Sequence, residues 1–208
     1  MEEESQKSKN EDITINFLGD SITYGSKLKK DLSERFTTLL ESKLKIKSLN
    51  FGVSGSRIAK IPSCDIECFL DRFEKLSKNA NFTFIFGGVN DYKNGTVLGD
   101  KSSDNVETFY GALKFLISKL LSIWNNTQLC FILPLPARRK SPLNLGLDSY
   151  INPIKELCLE NKIDFLDLSK EFGDKKLFAD GLHPNQKGHK LLAEELEKYI
   201  LKKGIVNS

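Results

Sequence analysis

Five short apolar runs alternate with amphipathic segments along this chain, and this alternation is the strongest constraint on its fold. The third run, Phe82-Thr-Phe-Ile-Phe86, is almost wholly apolar, as a strand covered on both faces should be. Strands that alternate with helices form a parallel sheet with helices packed on both faces. The sequence therefore predicts an α/β fold with a five-stranded parallel sheet between two layers of helices, for which 2-1-3-4-5 is a common strand order.

Periodicity sets the expected bounds of these elements. Apolar residues that recur at spacings of three and four indicate helices, whereas short apolar or alternating runs indicate strands. The strands are predicted at residues 13–18, 46–53, 82–86, 129–133 and 164–168, and the helices at residues 32–45, 65–78, 103–124, 148–161 and 186–203. A chain of 208 residues fits one domain with a sizeable core, so we predict a disordered tail over residues 1–10 and a single domain over residues 11–208.

Charge and hydropathy exclude several classes of protein. The chain has 31 Lys and Arg against 28 Asp and Glu, a net charge of only +3, so we expect no nucleic-acid partner. No apolar run is long enough to span a membrane. The first ten residues are charged and lack the apolar segment of a signal peptide, which favours a cytoplasmic protein. A leader removed before this numbering and the oligomeric state both stay open.

The first strand ends abruptly at Gly19-Asp20-Ser21. A small hydroxyl residue at the carboxyl end of a buried strand lies where an open α/β sheet presents its chemistry, so Ser21 is a candidate nucleophile. The alternative is that Asp20 or Ser21 only caps the following turn, which is common at such junctions.

Two similar motifs follow the second and third strands, namely Gly52-Val-Ser-Gly55 and Gly88-Val-Asn90. In the order 2-1-3-4-5 the first strand lies between the second and the third, and all loops after parallel strands emerge at one edge. The predicted fold therefore brings these two motifs beside Ser21.

A fourth motif, Asp180-Gly-Leu-His183-Pro184, precedes the last predicted helix. Asp180 lies three residues before His183, so one turn lets its carboxylate reach an imidazole nitrogen and orient the ring. We therefore predict that His183 is the general base for Ser21. The second histidine, His189, has no such partner, and a capping or surface role is the better interpretation.

Taken together, these four motifs resemble those of the GDSL, or SGNH, family of serine esterases and acylhydrolases. The matching blocks stand here at residues 19–23, 50–55, 88–91 and 180–184, in the order of the family. The departure is Ile22, which replaces the leucine of the family's name with another apolar residue.

The resemblance implies an SGNH hydrolase fold, which is a flavodoxin-like α/β/α fold of three layers with the strand order 2-1-3-4-5. It also implies ester hydrolysis through a catalytic triad of Ser21, His183 and Asp180. It further implies an oxyanion hole formed by the backbone N–H groups of Ser21 and Gly55 and by the side-chain amide of Asn90. Each donor suits the task, because Gly55 carries no side chain and Asn90 offers a neutral N–H group.

The substrate is less constrained, because the family acts on acetylated sugars, lipids, aryl esters and thioesters. The modest loops at residues 92–103 and 137–147 favour short acyl groups, acetyl first, on a sugar or another small alcohol. A lysophospholipase or thioesterase type of acylhydrolase and a catalytically silent ligand-binding member stay open as alternatives. Arg57 and Arg138 are candidate substrate-binding residues, although a solvated basic loop is the commoner role. We expect no metal and no cofactor, because neither histidine has the spacing of a metal ligand.

Overall fold

The structure of the protein is a computed structural model that describes residues 10–28, 32–138 and 140–206. The expected disordered tail over residues 1–10 lies outside these ranges apart from Asn10, whose carbonyl accepts a hydrogen bond from the N–H of Ile13 at 3.0 Å. Arg139, in the middle of the basic run 138–140, also lies outside them.

Five parallel strands form one sheet. They are β1 (Thr14–Gly19), β2 (Lys47–Gly52), β3 (Phe82–Phe86), β4 (Leu129–Ile132) and β5 (Asp164–Leu166), in the order β2-β1-β3-β4-β5. Every adjacent pair is parallel, so the predicted fold class and strand order are confirmed. Strands β3 and β4 are buried along their whole length, whereas the edge strands β2 and β5 are partly exposed.

The register places the ends of the first three strands at one level. Gly19 of β1 pairs with Gly52 of β2 on one side and with Phe86 of β3 on the other. The loops that follow β1, β2 and β3 therefore start side by side, as the sequence predicts for this strand order.

Helices cover both faces of the sheet. The described helices are α1 (Ser21–Tyr24), α2 (Phe36–Leu44), α3 (Val89–Lys93), α4 (Phe109–Leu121), α5 (Asp148–Glu160) and α6 (Gln186–Lys202). Residues of α2 and α6 share one apolar cluster with the sheet, and residues of α4 and α5 share the other. No helix of the described residues is both long and apolar enough to cross a membrane.

The alternating faces of β1 explain the two clusters. Ile15 and Phe17 belong to the α2–α6 side, whereas Leu18 belongs to the α4–α5 side. The ring of Phe17 stacks on that of Phe84 with centroids 5.3 Å apart and meets Phe36 edge-on at 5.6 Å. All three rings are almost fully buried, and each such burial stabilises the fold by about 1.5–3 kcal/mol.

Two predicted helix starts shift towards the carboxyl end, for local reasons. Helix α4 begins at Phe109 rather than at residue 103, because the Thr108 side chain accepts a hydrogen bond from the N–H of Gly111 and caps it. The predicted helix 32–45 consists of a single 3-10 turn at Leu32–Glu34 followed by α2.

The helix predicted over residues 65–78 is wrong. The structure has two separate 3-10 turns there, Phe69–Asp71 and Phe73–Lys75. The apolar spacing correctly marked buried residues, since Phe69, Phe73 and Leu76 lie in the core. A continuous helix does not form because Arg72, between the turns, has φ −123° and ψ −15° and places its buried guanidinium against the ends of β1 and β2.

Candidate active site

Ser21 is the first residue of α1, immediately after β1. The Asp20 side chain caps this helix by accepting a hydrogen bond from the N–H of Ile22 at 2.9 Å. A glycine is required opposite, because a Cβ on Gly52 would lie 2.2 Å from the backbone nitrogen of Tyr24. The close approach of β2 and α1 thus fixes Ser21 at the carboxyl edge of the sheet.

His183 and Asp180 lie beside Ser21, although 162 residues separate Ser21 from His183. The Nε2 atom of His183 is 3.0 Å from the Oγ of Ser21, and its Nδ1 atom is 2.9 Å from Oδ2 of Asp180. Since the carboxylate faces Nδ1, the tautomer with a proton on Nδ1 leaves Nε2 free to accept the Ser21 proton. The three residues can therefore act as nucleophile, general base and orienting carboxylate.

Hydrogen bonds hold Asp180 in its charged form. Its Oδ1 atom accepts the backbone N–H groups of Leu182 at 3.1 Å and His183 at 2.9 Å. Partial burial raises the pKa of Asp180, but the hydrogen bonds from the backbone and ring of His183 and from the Leu182 backbone outweigh it and lower this pKa to about 2. The carboxylate beside the ring of His183 is thus ionised at neutral pH.

Ser21 and Gly55 both line an open cleft, and each carries a backbone N–H group. Gly55 has φ +82°, a conformation that favours glycine, and a Cβ there would meet Ile66 Cδ1 at 2.8 Å. Within the described ranges, no residue accepts a hydrogen bond from the backbone N–H of Ser21 or of Gly55. Both groups can therefore donate to a bound oxygen atom.

Asn90, the second residue of α3, links the three strand ends. Its Nδ2 atom donates to the carbonyl of Ser56 at 3.0 Å and to Oδ2 of Asp20 at 3.3 Å. The longer of these bonds is the one that Asn90 gives up most easily to a bound anion.

Two further carboxyl groups lie beneath the site in full burial. Desolvation raises the pKa of Asp20 to about 7 despite its hydrogen bond from Ile22, and raises that of Asp91 to about 6. Asp91 accepts the backbone N–H groups of Ile58 at 2.9 Å and Ala59 at 3.1 Å, and so holds the loop after Gly55. These two groups support the loops of the site from below.

The sequence analysis did not predict a role for Arg72, which lies beneath these loops and is only 2% exposed. Its guanidinium donates to the carbonyls of Gly19 and Phe51 and to the Oγ of Ser56, the last at 2.7 Å. It thereby ties the ends of β1 and β2 to the loop that carries Gly55. No local pattern marks this arginine, because all three acceptors are distant in sequence.

An open cleft of about 890 Å³ exposes the site. Ser21, Gly55, Asn90 and His183 all line it. Neither candidate substrate-binding arginine is among the residues that line it. Arg57 lines a separate cavity of about 260 Å³, and the backbone N–H of Arg138 donates to the carbonyl of Gly181 at 3.0 Å.

Over residues 10–28, 32–138 and 140–206, no group of three or more His, Cys, Asp or Glu side chains could hold a metal ion.

Comparison with solved structures identifies the same fold in bacterial proteins. A protein from Lactobacillus plantarum is 26% identical, with a TM-score of 0.80 over 90% of this chain and 96% of that one. The lipase/acylhydrolase from Enterococcus faecalis is 23% identical, with a TM-score of 0.70 over 94% and 97% of the two chains. A possible lipase from Chitinophaga pinensis DSM 2588 is 19% identical, with a TM-score of 0.74 over 93% and 99%. The latter two likenesses concern the fold alone.

No curated protein matches this chain in sequence. A family model does match, over residues 17–191, and this range contains all four sequence blocks. The chain belongs to the GDSL-like lipase/acylhydrolase family.

Proposed function

We propose that the protein is a serine esterase that hydrolyses carboxylic esters with short acyl groups, acetyl first, of a sugar or another small alcohol. The observation that carries the proposal is the hydrogen-bonded series from Ser21 Oγ through His183 to Asp180, with distances of 3.0 and 2.9 Å. Family membership supports the class of reaction, and the modest loops at residues 92–103 and 137–147 support the short acyl group.

The reaction proceeds in two halves. His183 Nε2 takes the Ser21 proton while Oγ attacks the ester carbonyl, and the imidazolium then gives that proton to the departing alcohol. A water molecule next loses a proton to His183 and attacks the acyl-enzyme, which releases the acid and restores the Ser21 hydroxyl. Asp180 orients the ring and stabilises the imidazolium in both halves.

The negative oxygen formed in each half meets three donors. They are the backbone N–H groups of Ser21 and Gly55 and the side-chain amide of Asn90, which lets go of Asp20 to reach it. One such donor is typically worth ~3 kcal/mol of transition-state stabilisation.

The test is hydrolysis of p-nitrophenyl esters from acetyl to hexadecanoyl by the protein and by Ser21→Ala. We expect the acetyl ester to give the highest kcat/KM, and Ser21→Ala to lower turnover by orders of magnitude while the fold is kept. Ser118→Ala, on the exposed side of α4, is the matched control and should retain full turnover.

Covalent labelling gives a second readout. A fluorophosphonate should add its phosphonyl group to Oγ of Ser21 with loss of fluoride, and the mass increase should be absent in Ser21→Ala. Full turnover in a well-folded Ser21→Ala protein would overturn the proposal, and a preference for long acyl chains would favour the lysophospholipase alternative.

Chelation tests the expected independence from metals. The proposed chemistry uses only side chains and backbone N–H groups of the protein, so EDTA should leave the rate unchanged. A loss of rate that added Zn²⁺ restores would contradict this mechanism.

A further inference from the structure

Two lysines line the cleft beside Ser21. Lys27 lies in the loop after α1, and Lys93 is the last residue of α3. None of the described residues that line the cleft is Asp or Glu. The nearby carboxylate of Asp180 is directed at His183 and the backbone of Leu182, so the wall of the cleft itself is positive.

Neither lysine is neutralised by a described carboxylate. Lysines elsewhere do form such pairs, for example Lys60 with Asp71 and Lys155 with Asp167, both at 2.8 Å. Lys93 is only partly exposed. A cation that is partly withdrawn from water and has no counter-ion is stabilised when an anion binds beside it.

Helix α3 places the backbone of Lys93 close to that of Asn90. Lys93 lies three residues after Asn90, about one helical turn along α3. The end of this helix is held by Asn94, whose backbone N–H and side-chain amide both donate to the carbonyl of Asn90, at 3.0 and 2.8 Å. A charge on the substrate that reaches Lys93 is therefore close to the ester carbonyl.

We propose that the natural substrate is an ester that also carries an anionic group, a carboxylate or a phosphate, which Lys93 binds and Lys27 attracts at the rim. This rests on the proposed esterase function and names its substrate class. A cleft lined by one sign of charge focuses the field and raises the local concentration of the opposite ion. An ammonium group binds carboxylate or phosphate as a point charge without demanding one geometry.

The test compares esters that differ in charge. For the alcohol part, 4-acetoxybenzoate and 4-acetoxyphenyl phosphate are compared with neutral 4-acetoxybenzamide. For the acyl part, the p-nitrophenyl monoester of adipic acid is compared with the same compound as its methyl ester. At low salt, the unmodified protein should hydrolyse an anionic ester of at least one set with a kcat/KM about tenfold above that of the neutral ester of the same set. Added salt should reduce this ratio of anionic to neutral kcat/KM.

Variants of Lys93 test whether the preference for anionic esters comes from the cleft. Lys93→Met should bring the ratio close to one, whereas Lys93→Arg should keep most of it. Lys202→Met is the matched control, because Lys202 is exposed at the far end of α6, and its ratio should equal that of the unmodified protein. Thermal unfolding should confirm that each variant is folded.

The possible failures are distinguishable. Hydrolysis of the neutral esters without preference for the anions, or a preference that Lys93→Met retains, would overturn this inference and leave the esterase proposal standing. No hydrolysis of any ester by the unmodified protein would overturn the esterase proposal itself, and this inference with it.

Discussion

Asp20 lies next to Ser21 and Asp180 contacts His183, yet the two carboxyl groups differ in burial and in the number of donors that face them. Asp20 is 1% exposed as a residue, and its carboxyl accepts hydrogen bonds from the N–H of Ile22 and, at 3.3 Å, from the side-chain amide of Asn90. The side chain of Asp180 is 24% exposed and accepts two backbone N–H groups as well as contacting the His183 ring. Burial raises the pKa of the first to about 7, and hydrogen bonds lower that of the second to about 2.

In the proposed mechanism, the surroundings of a carboxyl group, rather than its distance from Ser21, decide whether it takes part in the chemistry. A group that must stabilise an imidazolium needs a permanent charge, and Asp180 has one because three donors face it. Asp20 lacks enough donors to offset its burial, and its role is to cap α1 and hold Asn90. Replacing one carboxyl at a time tests this division.

The largest expected effect is that of Asp180→Asn. The amide cannot stabilise the imidazolium and favours the wrong tautomer of His183, so kcat on p-nitrophenyl acetate should fall by ~10⁴. Asp20→Asn, the matched change at the other carboxyl, keeps an oxygen for the N–H of Ile22 and should cost far less. Equal losses in the two variants would contradict the division of roles.

Asn90 variants should follow in size. Asn90→Ala should lower kcat by ~10²–10³ with little change in KM, because Asn90 acts on the oxyanion of the transition state. Asn90→Asp should be at least as damaging, since it places a second carboxyl beside Asp20 and repels the oxyanion. Near wild-type kcat in Asn90→Asp, with circular dichroism confirming the fold, would show that Asn90 does not face the oxyanion.

The dependence of kcat/KM on pH below neutrality tests the different roles of Asp20 and Asp180. Since the pKa of Asp180 is about 2, this group stays ionised at pH 5, and any loss of kcat/KM there reflects proton uptake elsewhere. If a histidine is the general base, kcat/KM should fall as the pH is lowered from neutral, because a protonated imidazole cannot accept the serine proton. Asp20→Asn should show the same fall. A profile that is flat down to pH 4 would exclude a histidine base.

The smallest expected effect is on stability. The pKa of Asp20 rises from an ordinary value of 3.8 to about 7 on folding, so between these values the folded protein holds a proton that the unfolded chain releases. The free energy of unfolding contributed by Asp20 is therefore present at low pH and is lost as pH rises from about 4 to about 7. Asp20→Asn removes this loss, so its Tm relative to the unmodified protein should increase from pH 5 to pH 8.

Differential scanning calorimetry of both proteins across this range measures the effect. Each kcal/mol corresponds to about 2–4 °C for a chain of this size. Burial lowers the pKa of His189 to about 4, which works in the opposite direction between about pH 4 and 6.5, but this contribution is common to both proteins and cancels in the difference. If the difference in Tm between the two proteins does not change with pH, ionisation of Asp20 does not destabilise the folded protein.

Features that depend on residues close together in the sequence were predicted correctly, whereas a feature that depends on distant residues was not. The bounds of β3 were predicted to the residue, since Phe82–Phe86 is a continuous apolar run. The helix over residues 65–78 was wrong, because the hydrogen bonds of Arg72 to Gly19, Phe51 and Ser56 outweigh local helical periodicity. The pair of Asp180 and His183 was predictable because one turn contains both residues.

The sequence by itself determined the parallel sheet and the four motifs at the ends of its strands, since these depend on local periodicity. The strand order followed from the resemblance of those motifs to the family. Only the tertiary structure decided which side chains share the cleft. It placed Lys93 there and left Arg57 in a separate cavity, although both follow strands that end at the same edge. It also decided the raised pKa of Asp20, because the burial that raises it comes from the packing of the whole fold. The donors that lower the pKa of Asp180 belong to Leu182 and His183, which lie within three residues of it.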